Sequence, residues 1–310
     1  MSTLGAIPPN QKDILSRRGG YSVKKNNGGH GNMGSPVGRA EKLVGGSAWD
    51  GTWIKKIRGD DFTGLGANSS GTSIFDPVLC ELVYRWFCPS SGIILDPFAG
   101  GSVRGIVAAY LGYQYVGVDL STRQIEANRI QARTILNDIM PTWTEGDSRN
   151  IDALANGKYD LIFSCPPYFD LEVYSNDEKD LSAMPWESFL IAYCEIISKA
   201  CSMLNENRFA CFVVGDIRDR NGYYRNFVGE TIKAFQDAGA ILYNEAILVT
   251  AIGSLPIRIG RQFSSYRKLG KTHQNVLVFY KGNIKQIAKD FPEIEVSEID
   301  GMSIENDDAL

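Results

Sequence analysis

The chain has 310 residues, of which 44% are hydrophobic and 22% charged, and it carries a formal net charge of −4. This composition is ordinary for a soluble globular protein. Because no apolar run reaches the roughly 20 residues of a membrane-spanning helix and the N-terminus lacks a secretory signal, we expect a cytoplasmic protein without a membrane partner. Six scattered cysteines without CxxC spacing and only two histidines argue against a disulfide scaffold and a metal site.

The overall charge hides two segments of opposite sign. After Lys289 every charged side chain is acidic, and we treat 284–310 as an acidic tail. Between residues 252 and 283 every charged side chain is basic. The net negative charge of the chain would not by itself suggest a nucleic-acid partner, but a basic segment of this kind can compensate the charges of phosphates. The basic side chains are Arg258, Arg261, Arg267, Lys268, Lys271 and Lys281.

The pattern of the chain changes after its first quarter. Residues 1–47 are rich in Gly, Asn, Ser and Lys, which predicts a mobile basic arm because little apolar area offsets the entropy of ordering. From residue 73 onward, helix and strand patterns alternate, which predicts an α/β fold with a mostly parallel sheet flanked by helices. Helices are predicted at 76–87, 103–111, 122–136, 187–204 and 227–238, and strands at 93–95, 114–118, 159–163, 209–214, 241–250 and 275–280.

The loop after the first strand reads DPFAGGS at residues 96–102. Its glycines let the backbone approach a ligand without a Cβ in the way, and the next helix offers unpaired N–H groups. The loop contains neither GxGxxG nor GK[ST], which disfavours a phosphate ligand. The following strand leads to Asp119, where an acid can accept hydrogen bonds from ribose hydroxyls, and Asp147 precedes the strand after it. A turn that merely needs glycine would not explain these two acids.

Three segments together, ILDPFAGGS, YVGVDLS and EGDSRN, resemble the cofactor-binding half of class I methyltransferases, which use S-adenosylmethionine. DPFAGGS resembles the DPF-x-G-x-G motif of amino-methylating DNA methyltransferases, with Ser102 replacing the last glycine. The resemblance implies the Rossmann-like class I fold, and QNVLVFYKG resembles its antiparallel final strand. It also implies contacts of Asp119 with the ribose and of Asp147 near the adenine. The implied cofactor-binding residues are Phe75, Asp96, Phe98, Gly100, Gly101, Ser102, Asp119, Leu120, Asp147 and Ser148.

The strand at 159–163 ends in SCPPYF, where two prolines beside an aromatic residue form a stiff turn. This turn resembles the [DNS]-PP-[YFW] motif of enzymes that methylate the exocyclic amino group of adenine or cytosine. The amine is a poor nucleophile, so catalysis requires acceptors for its hydrogens and precise placement. The resemblance implies catalytic roles for Cys165, Pro166, Pro167 and Tyr168. Tyr168 or Phe169 would stack on a base flipped out of the duplex.

Cys165 departs from the motif, whose first residue is normally a better acceptor than a thiol. Either the backbone carbonyl of Cys165 or Pro166 does most of the work, or Ser164 or a nearby acid substitutes. Cytosine carbon-5 methylation would use a nucleophilic cysteine, but that family has the order Pro-Cys-Gln, and here the order is Cys-Pro-Pro. In the reading that we prefer, the two loops follow neighbouring strands and share one cleft.

Two segments without core patterning are candidates for target recognition. One is 170–185, directly after the catalytic loop, and the other is 253–273, a predicted loop in which aromatic residues alternate with cations. We expect 48–283 to form the methyltransferase domain that carries both insertions. The nucleic-acid-binding residues predicted are Phe169, Arg258, Arg261, Arg267, Lys268 and Lys271.

These patterns predict a DNA methyltransferase that flips adenine or cytosine out of double-stranded DNA and methylates its amino group, without a metal. Two alternatives remain. An RNA amino-methyltransferase shares DPF-x-G and [DN]PPY loops, although such enzymes usually carry an RNA-binding domain in front. A non-catalytic DNA-binding protein on a methyltransferase scaffold would explain Cys165. The sequence indicates neither the oligomeric state nor the target sequence.

Overall fold

The computed structural model describes residues 75–294, except 138, 170–173, 176, 251–254 and 292. The predicted arm at 1–47 and most of the acidic tail lie outside these residues. The strands are β1 Ile93–Asp96, β2 Gln114–Asp119, β3 Thr142–Glu145, β4 Tyr159–Ser164, β5 Leu204–Val214, β6 Ile241–Val249 and β7 His273–Lys281. The α-helices are α1 Pro77–Phe87, α2 Val103–Tyr110, α3 Thr122–Ile135, α4 Ile151–Leu154, α5 Trp186–Met203, α6 Phe227–Asp237, α7 Leu255–Tyr266 and α8 Ile287–Asp290, with short 3₁₀ turns at Ser148–Asn150, Leu181–Ala183 and Ile284–Gln286.

The described strands form one seven-stranded sheet in the order β3-β2-β1-β4-β5-β7-β6. Strands β1 to β5 run parallel to one another. Strand β7 is antiparallel to both β5 and β6. The predicted Rossmann-like, mostly parallel sheet with an antiparallel final strand is therefore confirmed. Since parallel strands end at the same edge, the loops after β1 to β5 gather there.

Side chains alternate between the two buried faces of the sheet. Leu95, Ile162 and Phe212 belong to the core that α5 and α6 cover, and the ring of Phe212 lies 4.8 Å from that of Phe235 on α6. Phe163, one residue beyond Ile162, points to the opposite face, where its ring meets Tyr84 of α1 at 5.5 Å. Helices therefore cover both faces, as the nearly continuous apolar strands require.

Two elements differ from the sequence-based prediction. Strand β3 was not predicted, because its four residues at the edge of the sheet bear no apolar run. The segment 253–273 was predicted to be a loop, but Leu255–Tyr266 forms helix α7. Leu255, Ile259 and Phe263 recur four residues apart, which is a helical spacing, but Pro256, Gly260 and the interspersed cations favour a loop when the sequence is read alone.

All six cysteines lie in the described part of the chain, and none forms a disulfide. Four of them, Cys80, Cys88, Cys201 and Cys211, are buried. Burial raises the pKa of the Cys201 thiol to about 12, so this group stays protonated and packs as a small apolar side chain. Among the described helices, none has the length and apolar character needed to cross a membrane.

The antiparallel end of the sheet gives a test of the core. Phe279 of β7 is fully buried, and its ring stacks on Phe235 with centroids 4.0 Å apart. We expect Phe279→Ala to lower the free energy of unfolding by about 3–5 kcal/mol, because it opens a cavity that the rigid sheet cannot close. Urea unfolding followed by circular dichroism measures this loss. Ile130→Ala, on the exposed side of α3, is the matched control and should change stability by about 0.5 kcal/mol or less.

Candidate active site

The DPFAGGS loop and the SCPPYF loop meet at one edge of the sheet. Strands β1 and β4 are parallel neighbours, with Leu95 paired to Ile162. Just beyond that pair, the Ser164 hydroxyl donates a 2.5 Å hydrogen bond to Oδ1 of Asp96. The two predicted turns therefore follow adjacent strands, and the sequence-based expectation that they lie side by side is confirmed.

Asp96 is the centre of a buried hydrogen-bond network. Its Oδ2 accepts hydrogen bonds from Arg104 Nε at 2.6 Å and from the Tyr115 hydroxyl at 2.7 Å. Its Oδ1 accepts from Ser164 and from the backbone N–H of Phe98 at 3.1 Å. The Asp96 side chain is fully buried, and a buried carboxylate needs this degree of pairing. Asp96 was predicted to contact the cofactor, but here it supports the loop and presents no open oxygen to a ligand.

The partners of Asp96 are held in the protonated forms that donate. Burial raises the pKa of the Tyr115 hydroxyl well above its ordinary value, and the adjacent Asp96 carboxylate raises it further. Burial lowers the pKa of Arg104, but Asp96 outweighs that effect and the pKa lies above its ordinary value. Both side chains therefore remain donors at any pH at which the protein is folded.

Arg104 also fastens the backbone of the cofactor loop. Nη2 of Arg104 donates to the carbonyl oxygens of Phe98 at 2.7 Å and Ala99 at 3.0 Å. The ring of Phe75 lies 4.7 Å from the guanidinium carbon, and it also contacts Phe163 at 5.7 Å. Phe75, predicted to touch the cofactor, thus packs on the ion pair, while the half-buried Phe98 ring stacks near Tyr193 at 6.0 Å.

The glycines of the loop have different roles. Gly100 adopts a φ of +49°, a conformation that L side chains rarely take. Its N–H donates to Oδ2 of Asp119 at 2.8 Å, and its carbonyl accepts from Asn128 at 2.8 Å. A Cβ at Gly101 would meet no atom within 4 Å, so the space in front of that residue is open. Ser102 is buried, and its hydroxyl bonds to Gln131 of α3 instead of facing this space.

Asp119 lies at the end of β2, as predicted, beside the half-buried Leu120. Its carboxylate accepts one backbone N–H on each oxygen, from Gly100 and from Ser121 at 2.9 Å. A carboxylate has about four lone-pair sites, so acceptor capacity remains for a ligand. Burial raises the pKa of Asp119 above its ordinary value, although its two backbone hydrogen bonds oppose the shift.

Asp147 and Ser148 follow β3 at the same edge. The Ser148 hydroxyl donates to the carbonyl of Pro97 at 2.6 Å, which ties this turn to the DPFAGGS loop. Asp147 forms an ion pair with Arg149 at 2.6 Å. Partial burial would raise the pKa of Asp147, but the Arg149 hydrogen bonds and charge prevail and the pKa is lowered. The structure therefore brings the ends of β1, β2 and β3 together, as the resemblance implied.

The catalytic loop is oriented by a residue that the sequence did not mark. Gln274 of β7 donates from Nε2 to the Tyr168 hydroxyl at 2.6 Å, and that hydroxyl donates to the carbonyl of Val213 at 3.3 Å. The Cys165 thiol lies 3.7 Å from the same hydroxyl. Burial raises the pKa of Tyr168 far above its ordinary value, and the Cys165 thiol contributes. Tyr168 is half-buried, and its ring packs edge-on against that of Phe227 with centroids 6.4 Å apart.

Two predictions for this loop are wrong because the side chains concerned, Ser164 and Phe169, are buried. Ser164 is fully buried and donates to Asp96, so it does not replace the missing acceptor at position 165. Phe169, predicted to bind nucleic acid, is 6% exposed and packs against Trp186 at 5.2 Å and Phe189 at 5.4 Å. Its φ of +51° turns the chain sharply after Tyr168. Tyr168 is therefore the less buried of the two aromatic residues in this loop, and it follows Pro166, which is buried, and Pro167, which is half-buried.

The predicted basic segment adjoins the catalytic loop through β7. Arg261 and Arg267 are exposed, and the guanidinium carbon of Arg267 lies 5.3 Å from the Phe263 ring. Lys268 lies 5.5 Å from the Tyr266 ring, and Lys271 is 3.5 Å from Asn275. The backbone of Arg258 belongs to α7. The residues that the structure describes contain no group of three or more His, Cys, Asp or Glu side chains placed to hold a metal ion.

Sequence reasoning missed Arg104, Tyr115 and Gln274. Arg104 carried a signal, because it is the charged residue of the otherwise apolar and almost wholly buried helix VRGIVAAY. A charge in such a helix needs a buried partner. Tyr115 and Gln274 carried no comparable signal, since a strand tyrosine and a strand glutamine are common and their partners lie 19 and 106 residues away.

No protein-family model matches the sequence, and no curated protein matches it. Solved structures similar to the chain include TrmN from Thermus thermophilus, at 17% identity and a TM-score of 0.43, over 67% of this chain and 49% of that one. The match thus spans about half of TrmN. A methyltransferase from Pyrococcus furiosus matches at 15% identity and a TM-score of 0.46, covering 75% of this chain and 98% of that one. The magnesium protoporphyrin IX methyltransferase ChlM from Synechocystis PCC 6803, solved with bound SAM, matches at 15% identity and a TM-score of 0.45. The match covers 79% of this chain and 96% of that one.

The Asp96–Arg104 pair can be tested by removing one charge and then both. We expect Arg104→Met to lower the free energy of unfolding by about 3–5 kcal/mol, because it leaves the Asp96 carboxylate buried without its cation. The double variant Asp96→Asn with Arg104→Met should recover part of that loss, and urea unfolding measures both. A single variant that loses less than about 1 kcal/mol would show that the pair does not hold the loop.

Proposed function

We propose that this protein transfers a methyl group from S-adenosylmethionine to the exocyclic amino group of adenine or cytosine in double-stranded DNA. One observation carries the proposal: the DPFAGGS loop and the CPPY turn leave neighbouring strands and are joined by the Ser164–Asp96 hydrogen bond. A methyl donor held by the first loop and an amine held by the second would meet at the same edge of the sheet.

The residues at this edge fit the proposed cofactor. The backbone around Gly100 and Gly101 would receive the methionine end, where a Cβ at Gly101 would find open space. Asp119 would accept the ribose hydroxyls with its remaining lone pairs, and Asp147 and Ser148 would lie near the adenine. Bound S-adenosylmethionine supplies the methyl group on a positively charged sulfur. The protein's contribution is to hold that group and exclude alternative orientations.

The catalytic loop would position the amine without forming a covalent bond to it. Since Ser164 is occupied by Asp96 and a thiol is a weak acceptor, the backbone carbonyl of Cys165 or Pro166 would accept a hydrogen bond from the amine. Such a contact draws electron density toward the nitrogen as it attacks. Tyr168, held by Gln274, would stack on the flipped base and set its plane.

Tyr168→Ala tests the stacking role. We expect kcat/KM for methylation of unmethylated plasmid DNA, measured with tritiated S-adenosylmethionine, to fall about fivefold to 150-fold, which corresponds to about 1–3 kcal/mol. Affinity for S-adenosylhomocysteine, measured by calorimetry, should stay unchanged. Tyr168→Phe is the comparison variant, because it keeps the ring but loses the Gln274 hydrogen bond, and it should retain more activity than Tyr168→Ala. Loss of cofactor affinity in Tyr168→Ala would mean that the residue does not face the base.

The same assay decides among the substrate classes. Activity on DNA with none on total RNA supports the proposal, and activity on RNA alone would replace DNA by RNA as the substrate. A protein that binds DNA but methylates neither would be a binding protein on a methyltransferase scaffold. If that protein gained methylation activity in the variant Cys165→Asp, the inactivity would be attributed to Cys165.

The burial of Asp119 predicts a pH dependence of cofactor binding. The ionised carboxylate accepts the ribose hydroxyls, and protonation removes that acceptor. Because burial raises the pKa of Asp119, affinity for S-adenosylhomocysteine should fall on acidification at a pH above the range of an ordinary aspartate, about 3.9. Asp147, whose pKa is lowered, would titrate at lower pH.

Asp119→Asn separates this effect from general acid unfolding. The variant should bind S-adenosylhomocysteine about tenfold more weakly at pH 7, a loss of about 1.4 kcal/mol, and its affinity should lose the acid-dependent decline. Calorimetry across the pH range, with circular dichroism to confirm folding, measures both. An unchanged decline in Asp119→Asn would assign the titration to another group.

A further inference from the structure

A basic and aromatic hairpin lies next to the catalytic loop and has no role in the function proposed above. We call residues 216–226 the β5–α6 hairpin, since it joins these two elements. Strand β5 is the parallel neighbour of β4, with Phe212 paired to Ser164. The hairpin therefore leaves the sheet at the same edge as the CPPY turn and beside it.

The hairpin is closed by its own hydrogen bonds. Asp219 donates its backbone N–H to the carbonyl of Tyr223 at 2.8 Å, and Arg225 donates to Ile217 at 2.9 Å. Arg218 and Tyr224 form an antiparallel bridge. A hairpin closed in this way presents its tip in a defined orientation, and less conformational entropy is lost when it binds a partner.

The outward face of the hairpin is cationic and aromatic. Arg220 is exposed at the tip, and Tyr223 is 75% exposed. The guanidinium carbon of Arg218 lies 3.9 Å from the ring of Tyr224, which is itself 48% exposed. Large aromatic side chains this exposed beside arginines are typical of surfaces that bind nucleic acid.

The acids of the hairpin are turned toward its backbone. The Asp219 carboxylate accepts the N–H of Tyr223 at 2.8 Å, and the Asp216 carboxylate accepts the N–H of Val228 at the start of α6 at 3.1 Å. These carboxylates stabilise the turn and the helix end. The three arginines of the hairpin, Arg218, Arg220 and Arg225, outnumber its two acids, so the hairpin carries a net positive charge.

Contacts connect the hairpin to both predicted functional segments. The guanidinium carbon of Arg225 lies 4.9 Å from the Phe169 ring and 4.7 Å from that of Trp186, so the base of the hairpin packs on the catalytic loop. At the turn, the Lys268 ammonium group lies against Gly222. The hairpin thus contacts the catalytic loop at its base and Lys268, which follows α7 in the basic segment, at its turn.

We propose that the β5–α6 hairpin binds the DNA strand next to the flipped base, with Arg220 on a phosphate and Tyr223 packed on an adjoining sugar or base. This inference rests on the proposed function and names the element that holds the DNA. Arginine suits the phosphate because its planar fork donates two parallel hydrogen bonds, and an exposed tyrosine offers a sequence-tolerant stacking surface. Lys268, against the turn, adds a second positive charge on the same side.

The test compares Arg220→Ala and Tyr223→Ala with Lys233→Ala. Lys233 is an exposed cation on α6 that pairs with Asp237, so its removal makes the same charge change away from the hairpin. The probe is a fluorescein-labelled, mixed-sequence DNA duplex, and anisotropy gives the dissociation constant at several salt concentrations. We expect Arg220→Ala to weaken binding severalfold and to reduce the salt slope by about one, with Lys233→Ala unchanged.

Tyr223→Ala should lower kcat/KM for plasmid methylation roughly tenfold, while calorimetric affinity for S-adenosylhomocysteine stays unchanged. If the wild type binds and methylates DNA but the Arg220 and Tyr223 variants match it, the hairpin does not hold the DNA and the proposed function stands. If the wild type neither binds nor methylates DNA, the proposed function fails together with this inference. If the variants weaken binding of an RNA probe and leave DNA binding intact, the assignment of DNA is overturned.

Discussion

The candidate site depends on one buried carboxylate. Asp96 closes the first strand of the sheet and accepts hydrogen bonds from the cofactor loop, the following helix, the next strand and the catalytic strand. Its charge is compensated by Arg104, which also binds two carbonyls of the loop. Because an unpaired charge at this depth would be costly, the whole arrangement forms together or not at all. The spacing between the two functional loops is therefore fixed before any ligand binds.

This network assigns different work to side chains and to backbone. The most buried polar side chains hold the loops in place, whereas acceptor capacity remains on the Asp119 carboxylate and open space remains in front of Gly101. In the proposed mechanism, Cys165 would be tolerated at the first motif position, since the carbonyl of a proline-locked turn does not depend on the side chain that precedes it. Preorganised dipoles also need no rearrangement during the reaction.

Aromatic packing extends the same rigidity to the surface proposed to hold the nucleic acid. The buried Phe169 and the half-buried Trp186 both contact Arg225, and the ring of Phe227 lies 6.4 Å from that of Tyr168. One group of aromatic side chains therefore packs against the CPPY turn, helix α5 and the β5–α6 hairpin. Gln274 of β7 donates a hydrogen bond to the Tyr168 hydroxyl, so the strand that follows the basic segment also sets the orientation of Tyr168.

The sequence by itself determined the alternation of strands and helices from residue 76 to 281 and the two motif loops, because apolar periodicity, glycine and proline act within a few residues. It did not reveal the short edge strand β3, which bears no apolar run, or helix α7, whose apolar spacing is interrupted by Pro256 and Gly260. It also misjudged Phe169 and Asp96, since only packing decides whether an aromatic ring or a carboxylate is buried. The contacts that decided the site, Ser164 to Asp96 and Gln274 to Tyr168, join residues 68 and 106 positions apart. Such contacts exist only after the sheet has assembled, so the tertiary structure alone determined them.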